Sequence, residues 1–467
     1  MSNFFGIEIA KKALFAQQRA LQTVAHNVAN ANTPGYSRQR AVMEATFTRP
    51  YGGMYFGGAL QLGSGVKIQD VTRIRDAFRD MQYRDENSAL GEWEFQADSL
   101  KQIEAVFNEP SDIGISSVLT QFWQSLEELS KNPEAVEIRE TVKERAVTLS
   151  NTINHTANQL YEILNDVNFR ISVKVEEVNT LSKQISELNA QIQQLEIAGV
   201  TASDLRDKRD VLLDELSKLL QINTYEDENG QFTVNVGGTI LVKGSEHERM
   251  KFDQGDLSSG IKWETYNTDV NLSKGELKGL INLRDNKIKA YINSIKTFAK
   301  TFAEKFNEIH KGGFDLNGDP GVEFFIFTDS ESGDFLSVNK VIQDDLSKIA
   351  AAATKTGIPG DNRNAIKLAN LKFEKIAELN GTLDDYYGAL ISRLGIDSQE
   401  ANRMMESQEF MVSQLDQQRK EISAVSLDEE MAKMVMYQHA YNAAARVVTA
   451  IDEMLDTVVN RMGITGR

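Results

Sequence analysis

The chain has 467 residues, no cysteine, and a net charge of -17 from 51 Lys+Arg against 68 Asp+Glu. The acidic balance argues against a nucleic-acid partner, because phosphate binding needs a basic face, and the missing cysteines exclude disulfides, Cys-ligated zinc and a thiol nucleophile. The length allows about two to four domains, and no stretch approaches the roughly 20 apolar residues of a membrane span.

Residues 3–31 read as one amphipathic helix. Ile7, Leu14, Leu21 and Val28 recur every seventh residue, with Ala10, Val24 and Ala31 at companion positions. That spacing is a coiled-coil seam, which a lone globular helix does not need. The same stretch lacks the apolar core of a secretory signal, so export by that route is not expected. The helix should stop at Asn32-Thr33-Pro34-Gly35, where Pro34 turns Thr33 away from helix.

Residues 36–72 differ in kind. Gly52, Gly53, Gly57, Gly58, Gly63 and Gly65 crowd a segment that also holds Tyr51, Tyr55, Phe56, Val66 and Ile68, which reads as an extended linker or short hairpin. Helical periodicity returns from about Arg73 to Leu220. It is clearest from His155 to Glu196, where Leu164, Ile171, Val178, Ile185 and Ile192 step by seven and Val167, Leu181, Leu188 and Leu195 follow three later. Unbroken, that stretch makes a rod roughly 60 Å long.

The period switches at residues 222–272, where QFTVNV, TILV, MKFD and IKWETY alternate between turns such as Gly237-Gly238; this is a small antiparallel β module. Ser273 to His310 resumes as a helix with Leu280, Leu283, Ile288, Ile292, Ile295, Phe298, Phe302 and Phe306 on its apolar side. Residues 311–362 are loop-rich and 364–420 helical and polar. In the last helix Leu427, Met434, Tyr441, Val448, Leu455 and Met462 fall on every seventh residue, with Tyr437, Ala444, Ile451 and Val458 as companions.

Both ends therefore carry a seam with no mate in adjacent sequence, and the economical pairing is with each other. The expected fold is mainly α with a small β module: long terminal coiled-coil helices, an elongated helical-bundle rod, and an inserted antiparallel β domain. The divisions are 1–35 with 425–467 for the terminal assembly domain, 36–72 for the linker or hairpin, 73–221 with 273–424 for the rod, and 222–272 for the β domain. The expected assembly interface is Ile7, Leu14, Leu21, Val28, Leu427, Met434, Tyr441, Val448, Ile451, Leu455, Val458 and Met462.

Catalytic chemistry is not visible. The five histidines His26, His155, His247, His310 and His439 include no i, i+4 pair, so a helical zinc site is unsupported. No phosphate loop occurs, and no cofactor is implied. Asp315, Asn317, Asp319 and Glu323 resemble the start of a calcium loop, in which alternate oxygens converge on a hard cation. Pro320 and Ile326 stand where that loop needs Gly and Glu, so a tight Asx-turn competes with it. Adjacent acids such as Glu429-Glu430 point in different directions along a helix and read as solvated charge.

Residues 27–40, Asn-Val-Ala-Asn-Ala-Asn-Thr-Pro-Gly-Tyr-Ser-Arg-Gln-Arg, resemble the N-terminal signature of bacterial flagellar axial proteins: rod, hook and hook-associated subunits. Further segments narrow the resemblance to the hook-associated proteins of the hook–filament junction. They are Asp204 to Asp210, Phe302 to Asn307 leading to Gly312 to Asp319, Gly360 to Asn364, and Leu427 to Glu430. A hook or distal rod subunit would share the terminal signature, but not Asp204 to Asp210 or Gly360 to Asn364.

The resemblance implies a secreted structural subunit at the hook–filament junction, threaded through the flagellar export apparatus and joining its own copies in a ring. It implies hook protein on one side, the distal junction protein (hook-associated protein 3) on the other, and an export chaperone on Leu427 to Met462. Longer relatives carry a further β-rich insertion before Gly360, so the outer region here is expected to be small.

Overall fold

The structure is a computed structural model that describes residues 2–47, 63–255 and 259–458. Tyr51, Tyr55, Phe56, four of the linker glycines (52, 53, 57 and 58) and Met462 lie outside these residues. The chain is mainly helical, with small antiparallel sheets set against the helices.

Helix α1 (Ser2–Ala29) is followed by the antiparallel hairpin β1 (Gln39–Phe47) and β2 (Gly63–Arg73), in register Gln39↔Arg73 and Ala41↔Val71. The hairpin lies along α1. Gly65, at φ +103°, lets the strand cross close to the Ile9 backbone, and few side chains adopt that conformation.

The rod follows as α2 (Ala77–Phe107), α3 (Ile115–Lys131), α4 (Val136–Ile197) and α5 (Ser203–Leu219). The Asp76 side chain caps α2 by accepting from Phe78 N at 3.0 Å, satisfying an N–H that the helix itself cannot. The 62 residues of α4 span about 93 Å. This is longer than the heptad run shows, because the helix starts well before His155 and its first turns pack on α3. Gly199, at φ +80°, ends it and allows the return into α5.

The β module contains a sheet ordered β3 (Asn223–Glu226), β4 (Phe232–Val236), β5 (Thr239–Lys243) and β6 (Glu246–His247). A second ladder pairs β7 (Met250–Lys251) with β8 (Lys262–Trp263). The two-residue turn between β4 and β5 is Gly237-Gly238, both at positive φ, as a twist-matched hairpin turn requires.

Helix α6 (Glu276–Asn282) continues through a π-helical turn (Leu283–Ile288) into α7 (Lys289–Lys311). The π turn explains an irregular step in the sequence. Leu283 and Ile288 are five apart rather than three or four, and the wider turn keeps both buried on one side. β9 (Phe325–Phe327), β10 (Leu336–Val338), α8 (Lys340–Asp344) and α9 (Arg363–Asn370) come next. The expected helix over 364–420 is broken: residues 371–382 run through short 3-10 turns before α10 (Leu383–Ser423) and α11 (Leu427–Asp456).

Helix α10 returns antiparallel along α2: Arg79 donates to Gln418 O at 2.9 Å at one end and Tyr387 to Glu109 at 3.2 Å at the other. The core between the rod helices centres on Phe122, Trp123, Phe298, Phe302, Phe306, Phe324 and Phe325. Each of these buried rings contributes about 2–3 kcal/mol. The contiguous core runs from Ala97 to Ala401 in sequence and includes no buried residue of α1, β1, β2 or α11.

One face of α4 carries asparagines that grip passing backbone. Asn154 accepts from Leu336 N and donates to its O, Asn168 donates to Gln254 O, Asn179 pairs with N and O of Met250, and Asn189 donates to Gly244 O. Their intervals are close to whole numbers of turns, so the row faces the connecting strands along most of the rod.

Candidate functional site

The first and last helices pack antiparallel. Asn27 meets Glu430 near one end, and Gly6 lies against Ile451 near the other. The layer that α1 buries is made of Ala10, Ala16, Ala20 and Val24, small side chains that let two helix axes approach. Ile7, Leu14, Leu21 and Val28 flank this layer and are half-buried. On α11, Ile451 is buried and Met434, Val448 and Leu455 are half-buried, whereas Leu427, Tyr441 and Val458 are exposed. The terminal heptads thus serve contact within the chain for one part of their residues and leave the other part free.

Heptad reading at the sequence level missed a second row on α11. Met436, Ala443, Val447, Ala450 and Met454 recur at seven- and four-residue steps and are all exposed. They lie on a different side of the helix from the α1-facing residues, and among the described residues no element covers them. Their signal was available as a second, Ala-rich period offset from the first.

Asn27 is the hub at the root of this pair. Its Nδ2 donates to Glu430 Oε2 at 2.8 Å and to Gln39 O at 2.9 Å, while its Oδ1 accepts from Tyr36 OH at 2.7 Å and Gln39 N at 2.9 Å. Asn27 and Glu430 are each 1% exposed. This corrects the reading of Glu429-Glu430 as solvated charge: Glu429 reaches Arg38 at 2.5 Å, whereas Glu430 is buried and shared with Lys433. Burial, with Asp204, Asp207 and Glu430 nearby, pushes the Tyr36 hydroxyl well above its ordinary pKa, so it stays a proton donor. Gly35 sits at φ +76°, and a Cβ there would lie 2.1 Å from Val211 Cγ2. Glycine is required twice over.

Below this root the chain is joined to the rod by charge. Arg73 meets Asp207 and Asp210 at 2.8 Å each, and Ser37 N donates to Asp207 at 2.9 Å. Six further groups close a ring of alternating sign: Arg75–Asp80 at 2.5 Å, Asp80–Arg419 at 3.6 Å, Arg419–Asp214 at 2.6 Å, Asp214–Arg84 at 2.8 Å, Arg84–Asp210 at 3.2 Å and Asp210–Arg75 at 3.4 Å. Burial would raise the Asp210 pKa, but the guanidiniums of Arg75, Arg84 and Arg73 outweigh it and hold it at about 2. Asp207 is shifted the other way, because its burial outweighs the Ser37 and Arg73 hydrogen bonds.

The calcium candidates lie at the other end of the rod. Asp315 Oδ1 accepts from Asn317 N and Asp319 N at 2.8 Å, an Asx-turn, and Lys348 Nζ sits 2.9 Å from Asp315 and 3.0 Å from Asp319. Glu323 pairs with Lys311 instead. Among the described residues, no three His, Cys, Asp or Glu side chains converge as metal ligands. An ammonium from the chain itself takes the place expected for the cation. Beside it, His310 is fully buried, with Nδ1 2.6 Å from Val322 O and Nε2 accepting from Ala350 N at 2.9 Å. Burial drops its pKa to about 4, so it is neutral. His26 and His439 are partly or fully exposed on the terminal helices, and His26 approaches Asp204 at 3.3 Å.

The sequence segments that suggested a family thus gather at two places: 27–40, 204–210 and 427–430 at the joint, 302–319 and 360–364 at the rod end. Residues 100–325 match the model described as "Flagellar hook-associated protein FlgK helical domain". Residues 7–36 match "Flagella basal body rod protein", and residues 416–462 "Flagellar basal body rod FlgEFG protein C-terminal". Flagellar hook-associated protein 1 of Bacillus subtilis (strain 168) is 37% identical, with 100% of each chain covered. The chain belongs to the flagellar hook-associated protein 1 family. Hook-associated protein 1 of Escherichia coli (strain K12) is 25% identical, over 97% of this chain and 99% of that one. The flagellar hook junction protein FlgK from Burkholderia pseudomallei shares the fold, with a TM-score of 0.65 and 15% identity, covering 73% of this chain and 100% of that chain.

Proposed function

We propose that this chain is a non-catalytic structural subunit of the bacterial flagellum that forms the junction between hook and filament. The observation that carries the reading is the second apolar row on α11, Met436, Ala443, Val447, Ala450 and Met454, exposed beside a helix pair that is already closed within the chain. A heptad-spaced apolar face without a cover is stable in water only when another helix takes it. Membership of the hook-associated protein 1 family supplies the setting.

In this reading residues 1–35 with 425–467 are the assembly domain, 36–72 its hairpin, 73–221 with 273–424 the rod, and 222–272 the inserted β domain. Copies of the chain form a ring, with hook protein on one side and the distal junction protein on the other. The subunit is secreted through the flagellar export apparatus and works outside the cell. A chaperone covers the C-terminal helix beforehand, masking the exposed row. No helix among the described residues is long and apolar enough to cross a membrane.

Deleting residues 1–35 or 425–467 tests the reading. The rod, whose contiguous core includes neither segment, should melt as before, and filament attachment to the hook should be lost. A milder arm introduces Val447→Glu and Met454→Glu, which leave the α1-facing side intact. Normal attachment with either the deletions or the charged pair sinks the proposal. Immunolabelling along the whole hook rather than at its tip would replace it with a hook or rod role.

A further inference from the structure

The ring of six charges at the joint is more than a fastening. The contiguous core stops at Ala97, Leu213 and Ala401. Beyond it, the unit formed by α1, the hairpin and α11 is tied to the rod mainly through Ser37, Arg38, Arg73, Arg75 and their partners. Ion pairs lack the shape-fixed complementarity of a packed core, so such a joint is free to change direction wherever its charges can find new partners.

New partners are at hand. Arg75 bonds Asp80 at 2.5 Å but also stands 3.4 Å from Asp210 and 3.9 Å from Asp207. Arg419 bonds Asp214 at 2.6 Å and stands 3.6 Å from Asp80 and 3.2 Å from Asp416. If Arg75 leaves Asp80 for Asp207 and Asp210, Arg419 closes on Asp80 and Arg84 keeps Asp214. No buried carboxylate is left without a guanidinium, so the exchange avoids the several kcal/mol that an orphaned buried charge costs.

We propose that this cluster is a two-position joint: Arg75 exchanges Asp80 for Asp207, and the terminal helix pair takes a second direction relative to the rod while the rod stays folded. Its use, letting one chain meet two unlike neighbours, rests on the junction reading above. The exchange itself does not depend on that reading.

The chain has no cysteine, so two introduced ones report cleanly. Spin labels at Ala190→Cys on α4 and Arg446→Cys on α11, both exposed, measure the direction of the helix pair by double electron–electron resonance on the isolated full-length chain. Two distance populations are expected. Asp207→Asn keeps an acceptor for Ser37 N but removes the second position, and should leave the first distance alone. Asp80→Asn removes the first position and should leave the second alone. Rod melting, read by circular dichroism, confirms folding of each variant, and Asp207→Asn carries the test if Asp80→Asn unfolds. One distance in the unsubstituted chain that Asp207→Asn leaves unchanged overturns the proposal. Two distances that persist in Asp207→Asn overturn it as well. Loss of attachment in the deletion experiment would leave these outcomes untouched.

Discussion

Asn27 and Glu430 lie 403 residues apart in sequence and 2.8 Å apart in space, both buried. One belongs to the signature that closes the first helix and the other to the acidic turn that opens the last. The pair is where two terminal segments become one unit.

Asn27→Ala removes four hydrogen bonds at once and leaves the Glu430 carboxylate with Lys433 as its remaining partner. A lost hydrogen bond to a buried charge costs about 1.5–3 kcal/mol. The loss should fall on the terminal helices: circular dichroism during heating should show part of the helical signal melting early, ahead of an unchanged rod transition. A single transition with the original midpoint would show that the hub is dispensable.

Gly35→Ala should destabilise the joint through two separable causes. The left-handed backbone costs about 1–2 kcal/mol for a side chain, and the new Cβ collides with Val211. Adding Val211→Ala should recover the collision part and leave the backbone part. Full recovery in the double variant, read by denaturant midpoint, would mean that φ at residue 35 is relaxed.

His310 predicts an acid-sensitive rod end. Its folded pKa of about 4 lies below the ordinary 6.5, so the neutral ring is favoured by folding. That stability is complete above pH 6.5 and is lost as pH falls toward 4, because protonation puts a charge where Nε2 must accept from Ala350 N. The shift corresponds to about 3 kcal/mol. His310→Gln should flatten the fall in denaturant midpoint between pH 7 and pH 4.5; an unchanged slope would assign it to other groups. Asp210, held at about 2, adds a further loss of about 2 kcal/mol only below its ordinary 3.8.

Lys348→Met should leave Asp315 buried beside no cation, at a cost of about 3–5 kcal/mol. Calorimetry with calcium should give no binding heat for the unsubstituted chain, since Lys348 bridges Asp315 and Asp319. Measurable calcium binding lost on Asp315→Asn would restore the metal site.

Local periodicity made the terminal helices, the long α4 and the switch to strands at residues 222–272 legible, because each depends on neighbours within a few turns. The charge ring was not, since Arg75, Asp80, Arg84, Asp210, Asp214 and Arg419 arrive from four segments and look like ordinary surface charge in each. Glu430 was misread for a related reason. A helix sets Glu429 and Glu430 about 100° apart, and what waits on the far side of that angle is Asn27. The break at 371–382 is carried by short 3-10 turns that interrupt a polar stretch without a proline.

The asparagine row of α4 has a consequence for how this architecture varies. Each amide addresses main-chain N–H and C=O groups, which every residue type presents, and not the side chains of the strands it holds. The rod works like a pegboard: a strand hung on it is gripped by position, whatever its sequence. Peripheral segments can lengthen, shorten or change composition between relatives while the pegs and the helix beneath them stay as they are.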